Sequence, residues 1–126
     1  MKKLILFILT VVLLTACGQS HDREAVYMNI TAAEAKEIMD TREGYIILDV
    51  RTQAEYDEKH IPGALPIPNT EIASRAEKEL PDKGQLILVY CRSGNRSKQA
   101  AEILVELGYT NIMEFGGIND WPYEVE

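Results

Sequence analysis

From residue 26 onward, short apolar runs alternate with stretches whose apolar residues recur at helical spacing. Tyr45 to Val50 and Gln85 to Tyr90 are nearly continuous apolar runs of strand length, as expected of strands buried on both faces. Val26 to Ile30, Ala64 to Ile67 and Asn111 to Phe115 read as three further short strands. Thr31-Ala32-Ala33-Glu34 has the layout of a capping box, with Ala35, Ile38 and Met39 on one face of the helix it opens. Gly44 is placed to stop that helix. A second capping box, Thr52 to Glu55, opens a short helix to about Lys59, and Ile61-Pro62-Gly63 breaks it. Asn69 is placed to cap a third helix, with Ile72, Ala73, Ala76 and Leu80 facing inward and Pro81 ending it. A fourth helix, Arg96 to Leu107, sets Ala100, Ile103, Leu104 and Leu107 on one face, with Gly108 at its C-terminal cap. Strands alternating with helices predict an α/β domain in three layers, α/β/α, around a mostly parallel five-stranded sheet.

The first residues follow a different pattern. Lys2 and Lys3 precede an apolar run from Leu4 to Leu14 that is broken only by Thr10, and Leu14-Thr15-Ala16-Cys17 follows. Charged, apolar and small-residue regions in this order are the layout of a secretory signal peptide. The run is shorter than the roughly 20 residues a spanning helix needs. The Leu-Thr-Ala-Cys sequence resembles the bacterial lipoprotein box. That resemblance implies a signal peptide at 1–16, a lipid on Cys17, a polar tether to residue 25 that includes His21, and a domain at 26–126. The expected location is extracytoplasmic, on a bacterial membrane, through two acyl chains. The chain has 13 basic and 20 acidic residues; without Lys2 and Lys3, 11 basic residues face 20 acidic ones, a net charge of −9. Such a balance argues against nucleic acid and against a basic lipid-binding patch.

Candidate chemistry centres on the second of the two cysteines. With Cys17 acylated, Cys91 has no partner within the chain. It directly follows the apolar run ending at Tyr90, at the strand end where sheets of this kind bind ligands. The segment Cys91-Arg92-Ser93-Gly94-Asn95-Arg96-Ser97-Lys98 carries three basic residues and no acidic one. Gly94 lets the backbone turn so that N–H groups converge, and the positive end of the next helix adds to their field. A thiol there is expected to ionise below its ordinary value of about 8.5 and to share its site with a small anion. Basic residues at a helix start are otherwise unfavourable, so Arg92 and Arg96 point to a bound anion; Lys98 divides evenly between that role and simple solvation. Asp49 and Arg51 end the other central strand, either supporting the loop or forming a structural ion pair, with Arg51 set against Glu55. His60 and Trp121 read as structural.

These segments together resemble the rhodanese family. Cys91-Arg92-Ser93-Gly94-Asn95-Arg96-Ser97 is similar to its active-site loop. Leu48-Asp49-Val50-Arg51, Glu55-Tyr56 and His60-Ile61-Pro62-Gly63-Ala64 are similar to its N-terminal signature, and Gly116-Gly117-Ile118 with Trp121 to its C-terminal one. The resemblance runs from about Met28 to Trp121 in a single copy. It implies sulfane-sulfur transfer through a persulfide on Cys91. Backbone N–H groups of Arg92, Ser93, Gly94, Asn95, Arg96 and Ser97 would cradle that anion, and Arg92 and Arg96 would orient the donor. The expected partners are a small anionic sulfur donor such as thiosulfate, a thiol or cyanide acceptor, and a membrane reached through the lipid. No cofactor, metal or nucleic acid is expected, and the chain is expected to be a monomer. Phosphatases and arsenate reductases on the same fold need five residues between cysteine and arginine, whereas Arg96 closes a six-residue loop. A non-enzymatic module that senses oxidants or presents a persulfide through Cys91 is a separate alternative.

Overall fold

The computed structural model describes residues 26–126, so the stretch expected to be a signal peptide, Cys17 and His21 lie outside the described residues. Among the described residues, no helix is long and apolar enough to cross a membrane. Five strands, β1 (Met28–Asn29), β2 (Ile46–Asp49), β3 (Leu65–Pro66), β4 (Ile87–Cys91) and β5 (Ile112–Gly117), form one sheet in the order β1-β5-β4-β2-β3. Every pairing is parallel, so the sheet is wholly rather than mostly parallel.

The helices are α1 (Ala32–Thr41), α2 (Gln53–Glu58), α3 (Ile72–Glu79) and α4 (Asn95–Glu106). Both expected capping boxes form. Thr31 and Thr52 accept from the N–H groups of Glu34 and Glu55, whose carboxylates reach back to the capping residues. Gly108 takes φ +97 just past α4. Its N–H donates to Val105 O and that of Tyr109 to Leu104 O, the paired bonds of a Schellman ending.

Strand alternation sorts the core into two layers. Leu48, Val50, Ile87, Val89 and Cys91 pack toward α3 and α4 with Ile72, Ala76, Ala100, Ala101 and Leu104. Ile47, Leu88 and Tyr90 face the other way, toward Ala35, Ile61, Phe115 and Trp121. Trp121 fills the core there as expected. Cys91 thus belongs to the last turn of the pleat on the α4 side.

Four details depart from the sequence reading. Asn69 does not cap a helix: Asn69–Glu71 forms a 3-10 turn, and α3 begins at Ile72. The Asn69 amide is drawn instead to Gln99 Oε1 of α4, at 3.0 Å. Ala73 is exposed, and the buried face of α4 is rotated to take in Ala101 and Val105. Arg51 pairs with Asp49 rather than Glu55. Thr52 is an extended N-cap, so Arg51 precedes the helix and shares no helical face with Glu55.

The Asp49–Arg51 pair is buried, at 0% and 3% exposure. Arg51 Nη2 donates to Asp49 Oδ2 at 2.6 Å and to Lys59 O at 2.7 Å. Tyr90 Oη donates to Asp49 Oδ2 at 2.7 Å and accepts from Ile61 N–H at 3.1 Å. Burial, and Asp49 beside it, push the Tyr90 phenol well up, so its proton stays in place. The cluster ties β2 and β4 to the end of α2. Arg51→Ala leaves Asp49 buried without its cation, and urea unfolding should show a loss of roughly 3–5 kcal/mol. A loss under about 1 kcal/mol would mean that water reaches the carboxylate.

Candidate active site

Cys91 is the last residue of β4, and only Arg92 and Ser93 separate it from Gly94, the N-cap of α4. Gly94 takes φ +108, a conformation that glycine adopts without strain. No side chain caps α4. Gly94 N–H donates to the Cys91 sulfur at 2.9 Å, and the N–H groups of Ser93 and Ser97 face the same atom. Ser97 Oγ lies 3.4 Å from Sγ. Burial opposes ionisation of this thiol. The Ser97 hydroxyl and the three N–H groups outweigh it and hold the thiol below the usual cysteine range.

The loop rests on β5. A Cβ on Gly117 would stand 2.0 Å from Arg92 O and 2.6 Å from Ser93 N, so only glycine fits beneath the turn. Asn119 N–H, just beyond, donates to Arg92 O at 3.2 Å. The Cys91–Gly117 register, with the irregularity before it, brings the two strand ends together.

Of the residues singled out from sequence, Cys91, Gly94 and Ser97 are buried at the floor of the turn, while Arg92, Ser93 and Asn95 are exposed around it. Arg96 is not a free cation. Its Nη1 and Nη2 donate to Glu55 Oε1 and Oε2 at 2.7 and 3.0 Å. Arg92 forms no ion pair among the described residues. It lines a cavity of about 210 Å³ with Arg51, Glu55, Glu58, Lys59, Ile118 and Asn119. The hydrogen bonds of Asp49 and Arg51 reach the turn only through Tyr90, the residue before Cys91. His60 is structural: its Nδ1 lies 2.9 Å from Tyr56 O, and its ring stacks on Tyr56.

Two carboxylates at the site were not anticipated as site residues. Glu55 was legible as a capping residue, as a partner for Arg51 and as part of the Glu55-Tyr56 signature, but not as a partner of Arg96. Glu114 sits in β5, 2% exposed, accepting from Ser97 Oγ at 2.6 Å and Gly116 N–H at 2.8 Å. Its one sequence signal is an acidic residue inside an apolar strand. Among the described residues, no cluster of side chains is suited to hold a metal.

The geometry is that of a buried thiol, held below the usual cysteine range, in a tight turn at the C-terminal edge of a parallel sheet. Residues 31–123 match the family of rhodanese-like domains. The thiosulfate sulfurtransferase PspE of Escherichia coli is 42% identical over 73 residues, covering 58% of this chain and 70% of that protein. The thiosulfate sulfurtransferase GlpE of Coxiella burnetii is 36% identical over 97 residues, covering 76% and 88%. A solved rhodanese with anions from E. coli gives a TM-score of 0.61 at 38% identity, covering 65% of this chain and 96% of that one. The chain belongs to the rhodanese-like family, and its activity is of the sulfurtransferase class.

The Glu55–Arg96 contact sets a pH window. Hydrogen bonding from Arg96 is the main cause that holds the Glu55 carboxyl down at about 2, against an ordinary 4.5. A depressed carboxyl stabilises the fold above its unfolded value and loses that contribution as pH falls toward the folded value. Stability carried by this contact should therefore fade between 4.5 and about 2. Thermal melts of wild type and Glu55→Gln across that window check it. The difference between the two should shrink as pH falls, and a constant difference would count against the assignment.

Proposed function

We propose that the chain moves sulfane sulfur from thiosulfate or a similar donor to a thiophilic acceptor through a persulfide on Cys91. The observation that carries this reading is the Gly94 N–H donated to the Cys91 sulfur at 2.9 Å, with the N–H groups of Ser93 and Ser97 facing the same atom. They favour an anionic sulfur at that point, whether thiolate or persulfide.

The thiolate attacks the outer sulfur of thiosulfate. A sulfur–sulfur bond forms to Cys91, the bond to the sulfonate sulfur breaks, and sulfite leaves with the electron pair. The terminal sulfur inherits the negative charge and the cradle. Cyanide or a thiolate then attacks that sulfur and leaves as thiocyanate or a new persulfide, restoring the Cys91 thiolate. Arg92, exposed at the rim and without a carboxylate partner among the described residues, is the guanidinium placed to meet the incoming sulfonate. Arg96 contributes its field from within its pair with Glu55. Asp49 and Arg51 support the turn from behind. PspE and GlpE, which carry thiosulfate in their names, favour that donor.

Intact-mass measurement after thiosulfate treatment tests this. Wild type should gain one sulfur, lose it to cyanide, and follow ping-pong kinetics. Cys91→Ser should gain none, because a serine hydroxyl is neither ionised at neutral pH nor able to hold sulfane sulfur. Sulfur transfer at the wild-type rate by Cys91→Ser would end the persulfide mechanism.

The same reading places the enzyme outside the cytoplasm, held to a bacterial membrane by a lipid on Cys17, after removal of residues 1–16. It rests on the Lys2-Lys3 start, the apolar run and the Leu-Thr-Ala-Cys sequence. In detergent-phase partitioning, wild type should enter the detergent and Cys17→Ser should stay in the aqueous phase. Equal partitioning of the two would remove the anchor from this account.

A further inference from the structure

The transfer steps above use no group beneath the loop, yet a buried carboxylate stands there. Glu114 Oε1 lies 2.6 Å from Ser97 Oγ, which in turn lies 3.4 Å from the Cys91 sulfur. Ser97 has one hydroxyl hydrogen and several acceptors within reach: Glu114 Oε1, Gly94 O at 2.9 Å and Gly116 O at 3.4 Å. The shortest contact runs to Glu114. With its hydrogen there, Ser97 Oγ is left to accept from the Cys91 S–H.

We propose that Glu114 is a positioning residue that takes and stores the Cys91 proton, with Ser97 Oγ as the relay between them. This rests on the reading of Cys91 as the nucleophile. Cys91 gives its proton to Ser97 Oγ while Ser97 gives its own to Glu114 Oε1. The S–H bond and the old Ser97 O–H bond break. New O–H bonds form on Ser97 and Glu114, and no electrons are gained or lost. The pair carries one negative charge before the transfer and one after.

Ser97 thereby changes from acceptor to donor toward sulfur, which is the contact an ionised sulfur needs. The charge argument points the same way. The thiolate and the Glu114 carboxylate stand at most two short contacts apart in a buried site, where two like charges disfavour each other. Sharing one proton removes that repulsion.

Glu114 Oε1 also accepts from Gly116 N–H at 2.8 Å, and the charged and titratable groups around the pair are these. Arg96 of α4 faces Cys91 but is held by Glu55 of α2. Arg51, after β2, is held by Asp49. Arg92 points out from the loop rim. Tyr27, before β1, faces Glu114 and Glu102. No cation stands within ion-pair distance of Glu114 among the described residues.

The test is the pH dependence of Cys91 alkylation by iodoacetamide on the full chain, followed at the Cys91 peptide by mass spectrometry. The reagent is uncharged, so the arginines do not bias it. Wild type should show two inflections. Glu114→Gln mimics the protonated acid permanently, so it should show one, about one pH unit below the upper wild-type inflection. An infrared measurement on wild type alone needs no variant to fold. A protonated-carboxyl band present at neutral pH should disappear when iodoacetamide blocks Cys91. Superimposable alkylation profiles for wild type and Glu114→Gln would overturn the proposal, as would an infrared spectrum with no carboxyl band lost on alkylation. Either result leaves sulfur loading of Cys91 by thiosulfate standing or falling by its own mass measurement.

Discussion

A sulfur atom at the end of a central strand can be surrounded by backbone N–H groups only if the chain turns back at once. Here two residues separate Cys91 from the N-cap of α4, and the turn lies directly on the end of β5. The closeness of that seat is the constraint from which the rest follows. Gly117 admits no side chain, because a Cβ would occupy the position of the Arg92 carbonyl. The irregular register between β4 and β5 lets Cys91 stand opposite Gly117. With the turn held down, the N–H of Gly94, the N-cap of α4, donates to the sulfur. The start of the helix thus supplies the sulfur with a backbone donor.

Tertiary charge pairing explains how basic residues come to stand at the start of α4. By the helix dipole alone, Arg96 is misplaced. Its guanidinium is nevertheless gripped at both nitrogens by Glu55, a residue already engaged as the third helical position of the α2 capping box. One carboxylate therefore closes the start of α2 and fastens it to the start of α4. The Asp49–Arg51–Tyr90 cluster does the same one layer back, linking the end of β2 to the residue before Cys91 and to the end of α2. The turn is clamped between these two carboxylate–arginine contacts, and α2, a helix of six residues, is positioned by both.

Much of this was legible in the sequence where the signal is local. The strand runs, the two capping boxes, the Gly108 ending and the position of Cys91 between strand and helix all follow from spacing within a dozen residues. What sequence could not supply were contacts between distant segments. Arg96 and Glu55 are 41 positions apart, and a pairing rule built on helical spacing offered Arg51 to Glu55 instead. Ala73 was placed inward because its apolar character fits the α3 stripe, but the buried face is the narrow i, i+4 row of Ile72, Ala76 and Leu80, and Ala73 lies beside it in solvent. Glu114 was passed over for a related reason. A lone acidic residue in a short strand reads as a solvent-facing position, and only the seating of α4 on β5 turns it under the loop.

The overall charge of the chain gives a last reason for so local a design. The chain carries a net charge of −7, and a field of that sign repels an anionic donor at long range. Salt limits this repulsion to about 8–10 Å under ordinary conditions. Inside that distance the nearest groups decide, and three acids around this turn are committed, although Glu58, exposed in the cavity that Arg92 lines, is not. Glu55 is tied to Arg96, Asp49 to Arg51, and Glu114 to Ser97 and Gly116 beneath the floor. The groups left facing outward at the turn are Arg92, Ser93 and Asn95, with no acid among them. An acidic protein can thus keep an anion-accepting mouth by binding its own nearby carboxylates first.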